Sequence, residues 1–151
     1  NGYPEIRADH RLGPRNPMKL STTDIERLVA IDSELDEQDL IALDFVVQPA
    51  PLGFFRLTRA GAVTWPLNSK VYVNDAGGMW VGRDAPSQLA VLAHESVHIG
   101  QRRRLGRVCF LFAYVGLRVF TIGRSAASHP MEREGYRIQQ KVRERLRASD
   151  E

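Results

Sequence analysis

The sequence predicts an α+β fold in which a small, mostly antiparallel sheet comes first and helices follow. Three observations carry that reading. Apolar residues alternate in short runs up to about residue 73, as they do on half-buried strands. From residue 84 onward they recur every three or four positions, the period of an amphipathic helix. Gly77–Gly78 stands between the two regimes, a break at which one type of element gives way to another. The chain has 151 residues, of which 43% are hydrophobic and 26% charged. That length and balance fit one globular domain with its own core. They exclude a disordered chain, a collagen-like repeat and a disulfide-dense mini-protein.

Residues 1–20 hold Gly2, Pro4, Gly13, Pro14 and Pro17 among scattered cations. They read as an extended N-terminal arm, with residues 21–151 forming the single domain. Thr23-x-x-Glu26 has the pattern of a capping box and opens a short helix through Ile25, Leu28 and Val29. Asp39 to Gln48 reads as a strand, with Ile41, Leu43, Phe45 and Val47 on one side, ended by Pro49 and Pro51. Residues 62–65 and 70–73 are two further β-rich runs, and Pro66–Leu67–Asn68–Ser69 between them suggests a hairpin. A short segment at Met79–Trp80–Val81 follows the glycine pair, and Trp65, Trp80, Phe54 and Phe55 read as core or lip residues.

Asp84 is an N-cap and Pro86 falls in the first turn of a helix that runs to Leu105 and stops at Gly106. A mostly apolar helix spans Val108 to Ile122, and Gly123 to Ser128 forms a small-residue loop. Pro130 starts the last helix, whose stripe is Met131, Gly135, Ile138, Val142 and Leu146.

Charge and cysteine content remove several functional classes. The formal net charge is +3, and the basic C-terminal run Lys141, Arg143, Arg145 and Arg147 is interrupted by Val142 and Glu144. That pattern is a solvated helix face, not a nucleic-acid stripe. The lone Cys109 has no partner for an intramolecular disulfide and, set between Val108 and Phe110, reads as a small core residue. The longest apolar run, Val108 to Phe120, carries Arg118 and falls short of the roughly 20 residues that span a bilayer. No signal peptide is visible. Phosphate loops of the G-x-x-x-x-G-K-[ST] type, G-x-S-x-G elbows and paired zinc-ribbon cysteines are absent from the sequence.

What carries chemistry is His94–Glu95–Ser96–Val97–His98, an H-E-x-x-H run inside the predicted helix. Spacing of four puts both imidazoles on one helix face, where two nitrogens can reach one ion. Glu95 lies beside them, placed to act on a metal-activated water instead of on the metal. With four His in the chain, composition alone would produce this pattern about 0.6% of the time.

Two histidines hold zinc weakly, so a third ligand is required. The H-x-x-G-x-x-H continuation is missing, since Gln101 and Arg104 occupy those positions. The alternatives are Glu132 and Glu134 at the start of the last helix, which fall on opposite flanks of its apolar stripe, each roughly 70–90° from the centre. A helix that presents a carboxylate to an ion beside another helix needs a small residue one turn later. Gly135 stands three after Glu132, whereas Arg137 stands three after Glu134. Glu132 is therefore preferred, Glu134 is second and His129 third.

These residues resemble the gluzincin division of zinc metallopeptidases. Locally, His94 to Gln101, the Arg104–Leu105–Gly106 that follows and Pro130 to Glu134 are similar to small bacterial zincin-like domains, as are Arg56–Arg59 and Ala62–Thr64. The resemblance covers residues 54–140. It implies a minimal zincin with one Zn2+ between two helices, bound by His94, His98 and Glu132, and Glu95 as general base. It also implies a peptide or protein substrate lying along a sheet edge, for which Lys70, Val71, Tyr72 and Val73 are the expected strand. Many gluzincins have an acidic residue four after the glutamate to orient the first histidine; here that position is Tyr136. Tyr136, Tyr114 and His129 are the residues expected around the ligands or an oxyanion. The expected function is zinc-dependent peptide hydrolysis, and the alternative is a zincin-fold binding or effector module that does not cleave.

Overall fold

The computed structural model describes residues 17–47, 62–65, 70–75, 80, 83–120 and 128–149. Its first helix, α1 (Thr22–Ile31), is capped by Ser21, whose hydroxyl accepts from the Asp24 amide and donates to the Asp24 carboxylate. The helix is thus capped by Ser21, two positions before the capping box predicted at Thr23, because Ser21 supplies the nearer acceptor for the first free amides. Leu28 of α1 is fully buried.

A short second helix, α2 (Glu37–Ile41), stands where a strand was expected from Asp39. Asp36 accepts from the Gln38 amide at 2.8 Å and starts the turn. The apparent alternation fails at Ile41, which is 51% exposed while Leu40 and Leu43 are buried. The strand itself, β1, is Asp44–Val47.

The remaining strands are β2 (Ala62–Thr64) and β3 (Lys70–Val73), which pair antiparallel with Thr64 opposite Val71, as the hairpin reading predicts. The sheet order is β1-β3-β2, and β1 runs parallel to β3 with Phe45 opposite Val71. The sheet is therefore mixed, and two expectations change. It is not mostly antiparallel, and Lys70–Val73 is the central strand, with both backbone edges already paired, so no peptide can add to it. The edge facing the later helices is β2. Residue 18 of the N-terminal arm bridges to Phe45 on the other edge.

Three helices follow. α3 (Ala85–Leu105) starts at Asp84, which accepts from the Ser87 amide, and ends at Gly106 with φ 76°. α4 (Arg107–Phe120) follows at once, and α5 (Pro130–Ala148) is capped by His129. α3 is buried along most of its length because the sheet, α2 and α5 all pack on it. Ile138, Val142 and Leu146 of α5 join Leu28, Leu40, Leu43, Val71 and Val73 in one continuous core, each such side chain contributing about 1.5–3 kcal/mol. Trp80 is 2% exposed and belongs to that core. Cys109, in contrast, is exposed on α4; its apolar sequence neighbours do not place it inside. No helix among the described residues is long and apolar enough to cross a membrane. The expected features at residues 1–16, Phe54, Phe55, 56–59, the 66–69 turn, Met79, Val81 and 121–127 lie outside the described residues.

Candidate metal centre

α3 presents His94 and His98 a turn apart, and α5 brings Glu132 against them. The side chains of all three are 9% exposed or less. Nε2 of His94 lies 3.1 Å from Oε2 of Glu132, and Nε2 of His98 lies 3.5 Å from the same oxygen. The three residues offer ligand atoms that all fall within 4.8 Å of one another. Donors at about 2.0–2.1 Å from a tetrahedral ion stand about 3.3–3.4 Å apart, close to the two distances to Glu132 Oε2, so this buried group could bind a metal ion.

Close helix packing makes this possible. A β-carbon on Gly135 would sit 2.8–2.9 Å from three atoms of the His94 ring, so α5 approaches α3 at the ligand itself, as the choice of Glu132 over Glu134 anticipates. Glu134 turns to the other flank, where its Oε2 accepts from Gln101 Nε2 at 3.3 Å. It also lines a cleft of about 310 Å³ with Glu34 and Arg103. His129 is fully buried, but both its nitrogens are engaged. Nδ1 accepts from the Met131 amide and Nε2 donates to the Tyr114 carbonyl. It caps a helix and has no lone pair for a ligand.

Surrounding groups fix the three side chains. His98 Nδ1 donates to Gln101 Oε1 at 3.0 Å, and Gln101 Nε2 is anchored to the Met131 carbonyl at 3.0 Å. This bond leaves Nε2 of His98 directed at the centre. The Tyr114 hydroxyl donates to Glu132 Oε1 at 2.6 Å, which directs its proton to a ligand and not to an oxyanion. Phe110 and Tyr114 stack 5.9 Å apart and flank the His98 ring. Tyr136 meets His94 edge to face at 4.7 Å. His94 Nδ1 is buried with no hydrogen-bond partner among the described residues, and Tyr136 stands beside the ring as an aromatic wall.

Glu95 is 4% exposed and faces β2, where Thr64 Oγ1 donates to its Oε2 at 2.7 Å. The carboxylate is thereby tied to the sheet edge, and its charge is felt at His98. Burial alone would depress the His98 imidazole. Hydrogen bonding to Glu132, the charges of Glu95 and Glu132, and the Gln101 bond outweigh it and raise the pKa to about 9. Burial would likewise raise Glu132, but bonds from His94, His98 and Tyr114 and the His98 charge hold it far below the carboxylate range. Without metal, the centre is a buried ion pair.

Thr64 and Gln101 have no role in the sequence reading. Gln101 carried a usable signal, being a polar residue three positions after a ligand on the same helix face. Thr64 carried none, since its place over Glu95 depends on strand order.

No family model matches the chain, and comparison with curated proteins and with solved structures returns no significant relative.

Proposed function

We propose that this chain is a zinc-dependent metallopeptidase. The single observation that carries the reading is the convergence of two histidines from one helix and a glutamate from another, with Glu95 beside them and held from the sheet edge. Two imidazoles and one carboxylate match the donor set of hydrolytic zinc sites, which leave the fourth position open. A zinc ion bound there supplies a water of lowered pKa and a Lewis acid for the scissile carbonyl.

The chain's own residues do the rest. His94, His98 and Glu132 hold the ion; Gln101 and Tyr114 keep His98 and Glu132 aimed. Thr64 occupies Oε2 of Glu95, so Oε1 takes the proton from the attacking water and returns it to the leaving amine. The outer edge of β2, unpaired among the described residues, is where an extended peptide would align by main-chain bonds, on the strand that carries Thr64 beside Glu95.

A second reading, a binding or effector module that does not cleave, is favoured by His94 Nδ1, which has no hydrogen-bond partner among the described residues, since a missing orienting acceptor weakens a hydrolytic metal centre. One experiment separates them. In Glu95→Gln, zinc content should stay at one ion per chain and cleavage of a peptide library should fall by at least a hundredfold. Cleavage that survives this change overturns the mechanism; wild-type zinc binding with no chelator-sensitive cleavage supports the module.

A further inference from the structure

We propose that the outer face of α4 seats on an anionic lipid bilayer as a helix lying in the plane of the membrane surface. This inference is independent of the metal centre's activity.

α4 has two unlike sides. Phe110 and Tyr114 point inward and pack on the His98 ring. On the opposite side, Val108, Phe112 and Val115 are 64%, 73% and 50% exposed. Their spacing of four and three residues makes them one stripe. Cys109 and Leu105 extend it. Scattered apolar residues on a surface are ordinary, but a continuous helical stripe of this kind marks a contact face.

Charge identifies the occupant. Between Glu95 and Glu132 the sequence has no Asp, Glu or Lys and six arginines: Arg102, Arg103, Arg104, Arg107, Arg118 and Arg124. Arg104 and Arg107 are exposed at the end of α4 where the stripe begins. Arg103 is already paired with Asp36 and Asp39, so the exposed cations beside the stripe are Arg104 and Arg107; a second copy docked through α4 would bring these like charges together and repel. An anionic headgroup layer satisfies both halves of the pattern: phosphates and carboxylates meet Arg104 and Arg107, while Phe112 and its neighbours enter the acyl boundary. At 14 residues α4 is about 21 Å long, too short to span, which leaves the in-plane orientation.

The test uses the whole chain with large vesicles of phosphatidylcholine, with and without phosphatidylserine. Co-sedimentation is expected only with phosphatidylserine and should weaken as salt rises. Phe112→Trp should show a blue-shifted emission on adding those vesicles. Phe112→Ser with Val115→Ser should lower partitioning at least tenfold, with unchanged circular dichroism because both side chains are exposed. Arg104→Gln and Arg107→Gln should each lower it about fivefold. No binding to phosphatidylserine vesicles, or binding indifferent to the Phe112 and Val115 changes, overturns the proposal. So does a concentration-dependent dimer that Phe112→Ser dissolves, which would assign the face to a second copy.

Discussion

Replacing Gly135 with alanine places a methyl group 2.8–2.9 Å from Cε1, Nδ1 and Nε2 of His94. Carbon atoms are comfortable at about 3.5–4.0 Å, so the ring or the helix must yield by roughly 0.6–1.2 Å. A ligand set tolerates about 0.5 Å of displacement. His94 is therefore moved out of register with His98 and Glu132, and zinc affinity should fall by a hundredfold or more. The effect on folding is smaller. Overpacking costs about 1–3 kcal/mol, while alanine in a helix interior recovers about 1 kcal/mol relative to glycine. Gly100→Ala is the matched control on α3. Its β-carbon would sit 2.5 Å from Asp39 Oδ2, a still tighter contact, made against a side chain outside the His94–His98–Glu132 group. Thermal melts should register both variants, and competition with a chromogenic chelator should register only Gly135→Ala. If the two lose metal equally, or Gly135→Ala keeps its affinity within threefold, the idea that α5 is positioned by contact at the ligand is wrong.

Metal affinity should climb with pH. His98 is protonated without metal up to about pH 9, so binding an ion must displace that proton; apparent affinity rises about tenfold per pH unit below about 9 and then levels. Calorimetry in buffers of different ionisation enthalpy should count about one proton released at pH 7, and a flat profile would refute the assignment. The sign for the metal-free fold is opposite, because a raised imidazole contributes its stability fully below pH 6.5 and loses it as pH approaches 9. Gln101→Leu removes the acceptor for His98 Nδ1 and should cost about 10–100-fold in zinc affinity, with Gln101→Glu restoring much of it in the same titration. Tyr114→Phe removes the 2.6 Å bond to Glu132 with little change of shape, and should weaken metal binding about tenfold and lower the stability of the metal-free fold by about 1–3 kcal/mol, read in a thermal melt.

The helical half of the fold was legible because its signals are local. Asp84, Gly106 and Pro130 mark helix ends by backbone rules that need no tertiary context, and four-residue spacing alone puts His94 and His98 on one side. Glu132 was readable through Gly135, since a helix crossing closely at a ligand leaves room for only a hydrogen. The sheet was less legible. That β3 lies centrally and pairs parallel with β1 depends on which strands meet, information no single strand carries. α2 was hidden for a different reason. Asp39 is buried against Arg103 at 3.4 Å, so a charged residue occupies an inward position and imitates the polar side of a strand. His129 looked like a ligand because its chemistry fits one, and only its two hydrogen bonds show the nitrogens taken.

Gly106 adopts φ 76° and ψ 157°, a region closed to residues with a side chain, although a β-carbon there would meet no atom of the described residues within 4 Å. The restriction is torsional and not a matter of room. The elbow between the ligand-bearing helix and its neighbour therefore hangs on a single dihedral, and with it the alignment of Phe110 and Tyr114 over the imidazole. A protein that tolerated bulk at this corner but not its altered angle would have the geometry of its candidate metal centre set by a joint and not by a contact.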